Sequence, residues 1–325
     1  MPNKKQGTLL VIGELNMDMI LDNIESFPEL GKEKIASDFS LTLGSSSAIF
    51  AGNIARLGVK TTFCGMIGDD GFGTKTINQL QEYGVDTSLV KKSDTHKTGL
   101  TVIMRYSDDR AMLTYPGAME HFSFRNIPAN AFENARHLHI SSIFLQPGIK
   151  KDLFKIIETA KSRGMTVSVD PQWDPDERWD LNIKKLIENI DFFLPNEAEF
   201  LSFTSASTVE QGLEELKPYV DDCTIVVKRG GDGATFLNKQ GICTVPAFIN
   251  EDIRDAVGAG DSFNAGLIFR FLQGDPIEKC IRFGNITGAV STTETGGTGA
   301  ISSLDDVLNI AKNKLSITNL DDFTR

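Results

Sequence analysis

The stretch Asp255-Ala256-Val257-Gly258-Ala259-Gly260-Asp261-Ser262 sets Gly258, Ala259 and Gly260 between two carboxylates, just ahead of an apolar run over 267–272 with helical character. Backbone through Gly258 and Gly260 turns tightly and lets a ligand approach the main chain. The first amides of the helix that follows have no acceptor within it, and its dipole favours negative charge there. Such an end suits an anion such as phosphate. Asp261, at the mouth of that site, is suited to accept the proton of a hydroxyl that attacks a phosphoryl group. The amides of Gly258, Ala259 and Gly260 would stabilise charge on the transferred group. A glycine turn with an acid in the first helical turn is also ordinary capping chemistry, so the stretch alone leaves both readings open.

Other residues with chemistry sit at the ends of apolar runs. Residues 8–13 read as a buried parallel strand, and Asn16 and Asp18 follow it. In an extended chain they share a face, where an amide and a carboxylate reach neighbouring sugar hydroxyls; an Asx turn is the structural alternative. Asn196 and Glu199 open a helix after another apolar run. They fit a capping box, or a carboxylate beside a hydrated Mg²⁺. Arg229-Gly230-Gly231-Asp232-Gly233-Ala234 follows a strand that ends at Lys228 and suits close passage of a nucleotide, or a hairpin. His137 and His139 share a strand face, but with no third ligand nearby a structural role is the preferred reading. Cys64, Cys223, Cys243 and Cys280 form no CxxC pair and read as buried thiols. Gly68-Asp69-Asp70-Gly71-Phe72-Gly73 misses the spacing of a dinucleotide fingerprint, which argues against an oxidoreductase.

These residues need a scaffold. With 325 residues and 40% hydrophobic content, the chain is long enough for a full core. A net charge of −11 argues against nucleic acid or anionic membrane as partners, since no basic excess displaces counterions. The apolar run over 9–12 is too short for a signal core or a membrane span, which predicts a soluble cytoplasmic protein. Strands near 61–67, 137–143, 166–170, 191–194 and 223–228 alternate with helices near 46–57, 71–83, 150–163 and 182–189, which predicts a parallel sheet covered on both faces. Residues 33–43 read as one or two short antiparallel strands, and 98–106 with 111–115 as a hairpin turning at 107–110. Together they predict a small sheet that acts as a lid. Helices are expected over 276–290 and 304–313, with a loosely ordered tail after 317. The loop over 170–179 holds both tryptophans and reads equally as pocket wall or surface.

In this order the segments resemble the ribokinase-like (PfkB) family of carbohydrate kinases along nearly the whole chain. Residues 255–263 are similar to its C-terminal signature, whose last Asp, here Asp261, is the catalytic base. Asn196-Glu197-Ala198-Glu199 matches its N-x-x-E element, associated with Mg²⁺ and phosphate, and 44–58 resembles its N-terminal signature. Asn16-Met17-Asp18 is similar to its sugar-binding N-x-D. The resemblance implies an α/β, ribokinase-like fold: a central mostly parallel sheet with helices on both faces and a small β lid. It implies a single domain over 1–325, with the lid from about 16–44 and 97–117. It further implies ATP at Asn196, Lys228, Gly230, Gly231, Gly233 and Asn285, with Mg²⁺ near Glu199. Sugar would lie at Asn16, Asp18, Gly44 and Ser45, and a monovalent cation such as K⁺ at Asp255, the Val257 carbonyl and 293–300. Two positions depart from the pattern. Gly44-Ser45 stands where paired glycines are usual, with Ile49 in place of an Asn, and Ala256 stands where Thr is usual. The implied activity is ATP-dependent phosphorylation of a small ribose- or fructose-like sugar. A nucleoside kinase and a catalytically silent sugar- or nucleotide-binding protein are the alternatives, and a homodimer through the lid is the expected assembly.

Overall fold

The strand Thr8–Ile12 buries side chains on both faces: Leu9 and Val11 enter one core, Leu10 and Ile12 the other. Such a strand belongs inside a sheet that is covered twice. In the computed structural model, which describes residues 8–106 and 110–324, it is an interior member of a nine-stranded sheet. On one side it pairs in parallel with Thr61–Cys64, which pairs with Val85–Asp86. On the other side Ala135–Ser141, Thr166–Asp170, Phe192–Phe193 and Thr224–Lys228 follow in parallel. Ala234–Asn238 and Gly241–Val245 close that edge as antiparallel strands. The order reverses between Thr8–Ile12 and Ala135–Ser141, and the loops leaving their carboxyl ends diverge there to open a crevice.

Helices Ser46–Arg56, Ala259–Gln273, Ile277–Ser291 and Leu304–Asn313 pack on the Leu9 face, and Pro147–Lys161, Glu197–Thr204 and Val209–Leu216 on the Leu10 face. Ala259–Gln273 is buried on nearly all sides, as its apolar run without a polar stripe requires. His137 and His139 are fully buried in the sheet. His137 reaches Thr166 Oγ1 at 2.7 Å and Ser168 Oγ at 2.8 Å, and His139 stacks on Phe50 with ring centroids 3.7 Å apart. Burial depresses both imidazole pKa values, His137 to about 3. They are structural, and no metal-holding cluster of His, Cys, Asp or Glu occurs among the described residues.

A second, four-stranded sheet stands over the crevice in the order Asp38–Leu43, Asn16–Asp22, Gly99–Arg105, Arg110–Tyr115. Asn16 and Asp18 thus begin a strand rather than an Asx turn. Asp18, Thr101 and Thr114 are cross-strand partners on the face toward the crevice. Met19, Leu21, Leu41, Val102 and Leu113 fall on the opposite face.

Several expectations need correction. Only Asp38–Leu43 of the 33–43 stretch pairs as a strand, and the 182–189 helix is cut to Ile183–Ile187. The 107–110 turn falls largely outside the described residues. Cys243 is exposed, unlike the other three thiols, because it lies on the edge strand Gly241–Val245. The tail is not loose: Phe323 is fully buried, its ring 5.2 Å from that of Phe283 and 5.5 Å from the Arg270 guanidinium. An apolar ring capping a helix pair holds a segment whose neighbours are polar. No described helix is long and apolar enough to cross a membrane.

Candidate active site

The helix Ala259–Gln273 begins at Gly258, which has φ 75° and lies so close to Gly297 that a Cβ would stand 2.5 Å from the Gly297 Cα. No side chain caps this end. Its amides open on a cleft of about 710 Å³ between the two sheets. Of the individual residues expected to hold sugar, ATP, the cations or the transferred phosphoryl group, all but Gly44 and Asp255 line that cleft. Ile49, the apolar substitute in the N-terminal signature, backs the loop: a Cβ on Gly297 would meet its Cδ1 at 2.7 Å.

Asp261 sits in the first helical turn, 7% exposed, with its carboxylate held in place from two sides. Ser46 Oγ donates to Oδ1 at 2.5 Å and Gln172 Nε2 donates to the same oxygen at 3.2 Å. Burial, with Asp170 nearby, raises its pKa to about 7, against the opposing pull of the Ser46 bond and Lys228. A carboxylate poised near neutrality is matched to general-base work.

Behind it lies a buried polar network that sequence reading did not anticipate. Lys228 Nζ contacts Asp170 Oδ2 at 2.6 Å, and Asn264 Nδ2 and Gln172 Nε2 donate to that oxygen at 2.5 and 3.1 Å. Burial opposes the Lys228 charge, but Asp170 and Glu199 outweigh it and raise its pKa. Lys228, expected at the nucleotide, therefore spends its ammonium on Asp170. Gln172 reaches Asp261 from a left-handed backbone, φ 58°, in the loop that carries the tryptophans. That loop forms the cleft wall through Gln172 and Trp173. Pro171 and Pro175 signal an irregular loop, but not its direction.

At the far end, Asn16 Nδ2 donates to Asp18 Oδ1 at 3.1 Å and to Thr101 Oγ1 at 2.9 Å. Burial raises the pKa of Asp18 to about 7, with Asp261 adding to the shift. Gly44 supports this carboxylate from outside the wall, because a Cβ there would stand 2.2 Å from Asp18 Oδ1. Ser45, with φ 73°, donates to the Glu14 carbonyl at 2.5 Å and caps Ser46–Arg56. Its left-handed backbone explains why a glycine is favoured at that position. Glu14, also missed, is buried in the crevice and accepts from Ser47 and Ser142; burial raises its pKa.

Asn196 and Glu199 form the capping box: Asn196 N and Nδ2 donate to Glu199 at 2.9 and 2.7 Å, and Glu199 N donates back to Asn196 Oδ1 at 2.9 Å. Burial and Asp170 raise the Glu199 pKa to about 7. This carboxylate on the cleft wall suits a Mg²⁺ that keeps its waters and is held mainly by phosphates, which needs no protein cage. Gly230 and Gly233, with φ 53° and 89°, turn the chain on the cleft wall. Asn285 donates to the Val245 and Pro246 carbonyls at 3.3 and 2.9 Å, fixing the strand exit rather than pointing to solvent. Phe248, Ile249 and Ile253 complete an apolar wall there that the sequence did not single out.

Asp255 departs from its expected place among ligands of a monovalent cation. Its Oδ1 accepts the Val257 amide at 2.9 Å, its Oδ2 accepts the Gly296 amide at 2.8 Å, and Arg105 Nη2 stands 2.6 Å from Oδ2. Both carboxylate oxygens are already taken by amides and the charge is already met by a guanidinium, so Asp255 is poorly suited to a further cation.

The chain is similar to proteins of known kind across most of its length. It is 28% identical to an ATP-dependent ribose-1-phosphate kinase of Halopiger xanaduensis, over 90% of this chain and 94% of that one. It is also 28% identical to a 2-dehydro-3-deoxygluconokinase of Bacillus subtilis, over 82% and 86%. A structure described as a ribokinase II from E. coli with ATP and Mg²⁺ superposes with a TM-score of 0.83 at 23% identity, over 94% of this chain and 99% of that one, which shows a shared ribokinase fold. The family model for pfkB family carbohydrate kinases matches residues 6–304, and with the helix-end carboxylate and its cleft in place, the chain belongs to that family of ATP-dependent phosphotransferases.

Proposed function

We propose that the chain transfers the γ-phosphoryl group of ATP to a hydroxyl of a small ribose- or fructose-like sugar. The observation that carries this is Asp261: a buried carboxylate with its pKa near 7 at the uncapped start of Ala259–Gln273, on the same cleft as Asn16 and Asp18. Asn16 and Asp18 hold sugar hydroxyls, and the small sheet serves as the lid of a single domain. Asp261 takes the proton as the hydroxyl oxygen bonds to phosphorus, and the bond to ADP breaks with its electron pair leaving on ADP. The amides of Gly258, Ala259 and Gly260 receive the charge on the group in flight. ATP lies along Gly230, Gly231, Gly233 and the wall near Asn285. Mg²⁺, held through Glu199, supplies neutralisation of phosphate charge when bound. The free thiols and the ATP requirement support a cytoplasmic setting.

A nucleoside acceptor is the second reading, favoured by the apolar flank of the sugar end, where Ile103, Met112, Leu145 and Trp173 offer a surface for a base. The apolar outer face of the lid, including Leu113 at 69% exposure and Tyr115 at 52%, supports a second copy of this chain as its cover; sedimentation of the purified chain tests this, and a monomer at all concentrations refutes it. ADP release measured over a panel of free sugars and nucleosides separates the two acceptor classes. Asp261→Asn is expected to lower kcat by about 10²–10⁴-fold with ATP binding retained. A variant that turns over at near the normal rate refutes the assignment of the base.

A further inference from the structure

Arg105 ends the strand Gly99–Arg105 on the cleft-facing side, in line with Thr101 and Ile103. Its guanidinium lies between two carboxylates, Nη1 3.5 Å from Asp22 Oδ1 on its own sheet and Nη2 2.6 Å from Asp255 Oδ2 in the loop ahead of Ala259–Gln273. The Asp255 side chain is 3% exposed. Through its two oxygens Asp255 ties the turn at Val257 to the turn at Gly296, and its own amide donates to the Thr292 carbonyl at 3.4 Å. Arg254 and Glu294 join the same two segments at the surface, 3.3 Å apart.

A buried carboxylate next to amides that receive phosphate is poorly placed unless a positive charge compensates it, since it repels the ligand and costs desolvation. Here the compensating charge comes from the small sheet. It is therefore in place with that sheet over the cleft, as here, and a movement of the sheet away from the cleft would remove it. We infer that Arg105 is a positioning residue that supplies the fixed positive charge of the 255–260 loop, in place of a monovalent cation, and couples the order of that loop to closure of the small sheet. It touches neither substrate nor reacting atoms. The inference rests on residues 258–260 being the phosphate loop.

The test compares wild type, Arg105→Ala and Arg105→Lys in potassium chloride and in tetramethylammonium chloride at equal ionic strength. Melting temperature is read without ligand, and kcat is read with an acceptor from the panel. Wild type is expected to behave alike in both salts. Arg105→Ala should lose about ten- to a hundredfold in kcat in tetramethylammonium, as misplacement of a loop near the chemistry does. Potassium should restore part of that loss and raise the melting temperature of this variant alone, while Arg105→Lys keeps most of the rate. A merely structural arginine gives no potassium-specific rescue. Strong activation of wild type by potassium, or an Arg105→Ala rate equal to wild type in tetramethylammonium, overturns the inference. If wild type turns over no member of the panel, the acceptor reading fails, and the melting comparison still decides on Arg105: a potassium-specific rise confined to Arg105→Ala supports it, and the lack of one overturns it.

Discussion

Replacing Ser46 by Ala removes one donor from the Asp261 carboxylate and leaves the glycine loop untouched. The bond is short, 2.5 Å, and favours the charged form of an acid whose pKa is otherwise driven upward by burial and Asp170. A hydrogen bond to a charged group contributes about 1.5–3 kcal/mol, which at about 1.4 kcal/mol per unit amounts to about one to two pKa units. Gln172 Nε2, which donates to Ser46 Oγ at 2.9 Å and to Asp261 at 3.2 Å, is freed to strengthen its own bond to the base, so the lower part of that range is expected. As the proposed base, Asp261 works deprotonated, so activity should rise with pH through its pKa, and raising that pKa should move the acid limb to the alkaline side. From a wild-type limb near 7 the variant limb should move by about one unit, so that kcat/KM at neutral pH falls about fivefold and the two enzymes converge at higher pH. Initial rates of ADP formation across the pH range measure this. An unmoved limb with a rate loss uniform in pH refutes the role of Ser46 in setting the base.

Gly44→Ala should push the Asp18 carboxylate away, since the new Cβ would stand 2.2 Å from Oδ1; KM for the acceptor is expected to rise about 10–100-fold while the fold is kept, and an unchanged KM speaks against Asp18 as a sugar contact. Phe323→Ala should lower stability by about 3–5 kcal/mol in urea unfolding with kcat unchanged below the transition, and a loss under about 1 kcal/mol would mean that the tail does not cap the helix pair.

What could be read in the residues was what repeats along the chain. Apolar runs such as 8–13 and 223–228 are long enough and apolar enough that a doubly covered strand is the arrangement that buries both faces. The Gly258-Ala259-Gly260-Asp261 stretch likewise carries its chemistry locally, because backbone freedom, helix-end amides and the acid are all set within a few residues. The pfkB resemblance rested on such local segments taken in order, and the match over 6–304 agrees with it.

Other site features depend on residues distant in the chain. Ser46 and Gln172 meet Asp261, and Lys228, Asn264 and Gln172 meet Asp170 behind it, only because the sheet order brings distant segments to one crevice. Burial pK shifts have the same origin: Asp18, Glu199 and Asp261 are ordinary acids in the sequence and are driven to about 7 by desolvation that exists only in the fold. The Asp255 carboxylate is the clearest case. Its place at the head of the loop is local, and nothing in its neighbours points to Arg105, 150 positions earlier, since only pairing of the small sheet over the cleft sets the two charges 2.6 Å apart. Local sequence determined the strands, the phosphate-type loop and its acid; tertiary packing alone decided which charges face that acid, because electrostatic partners are chosen by distance in space and not along the chain.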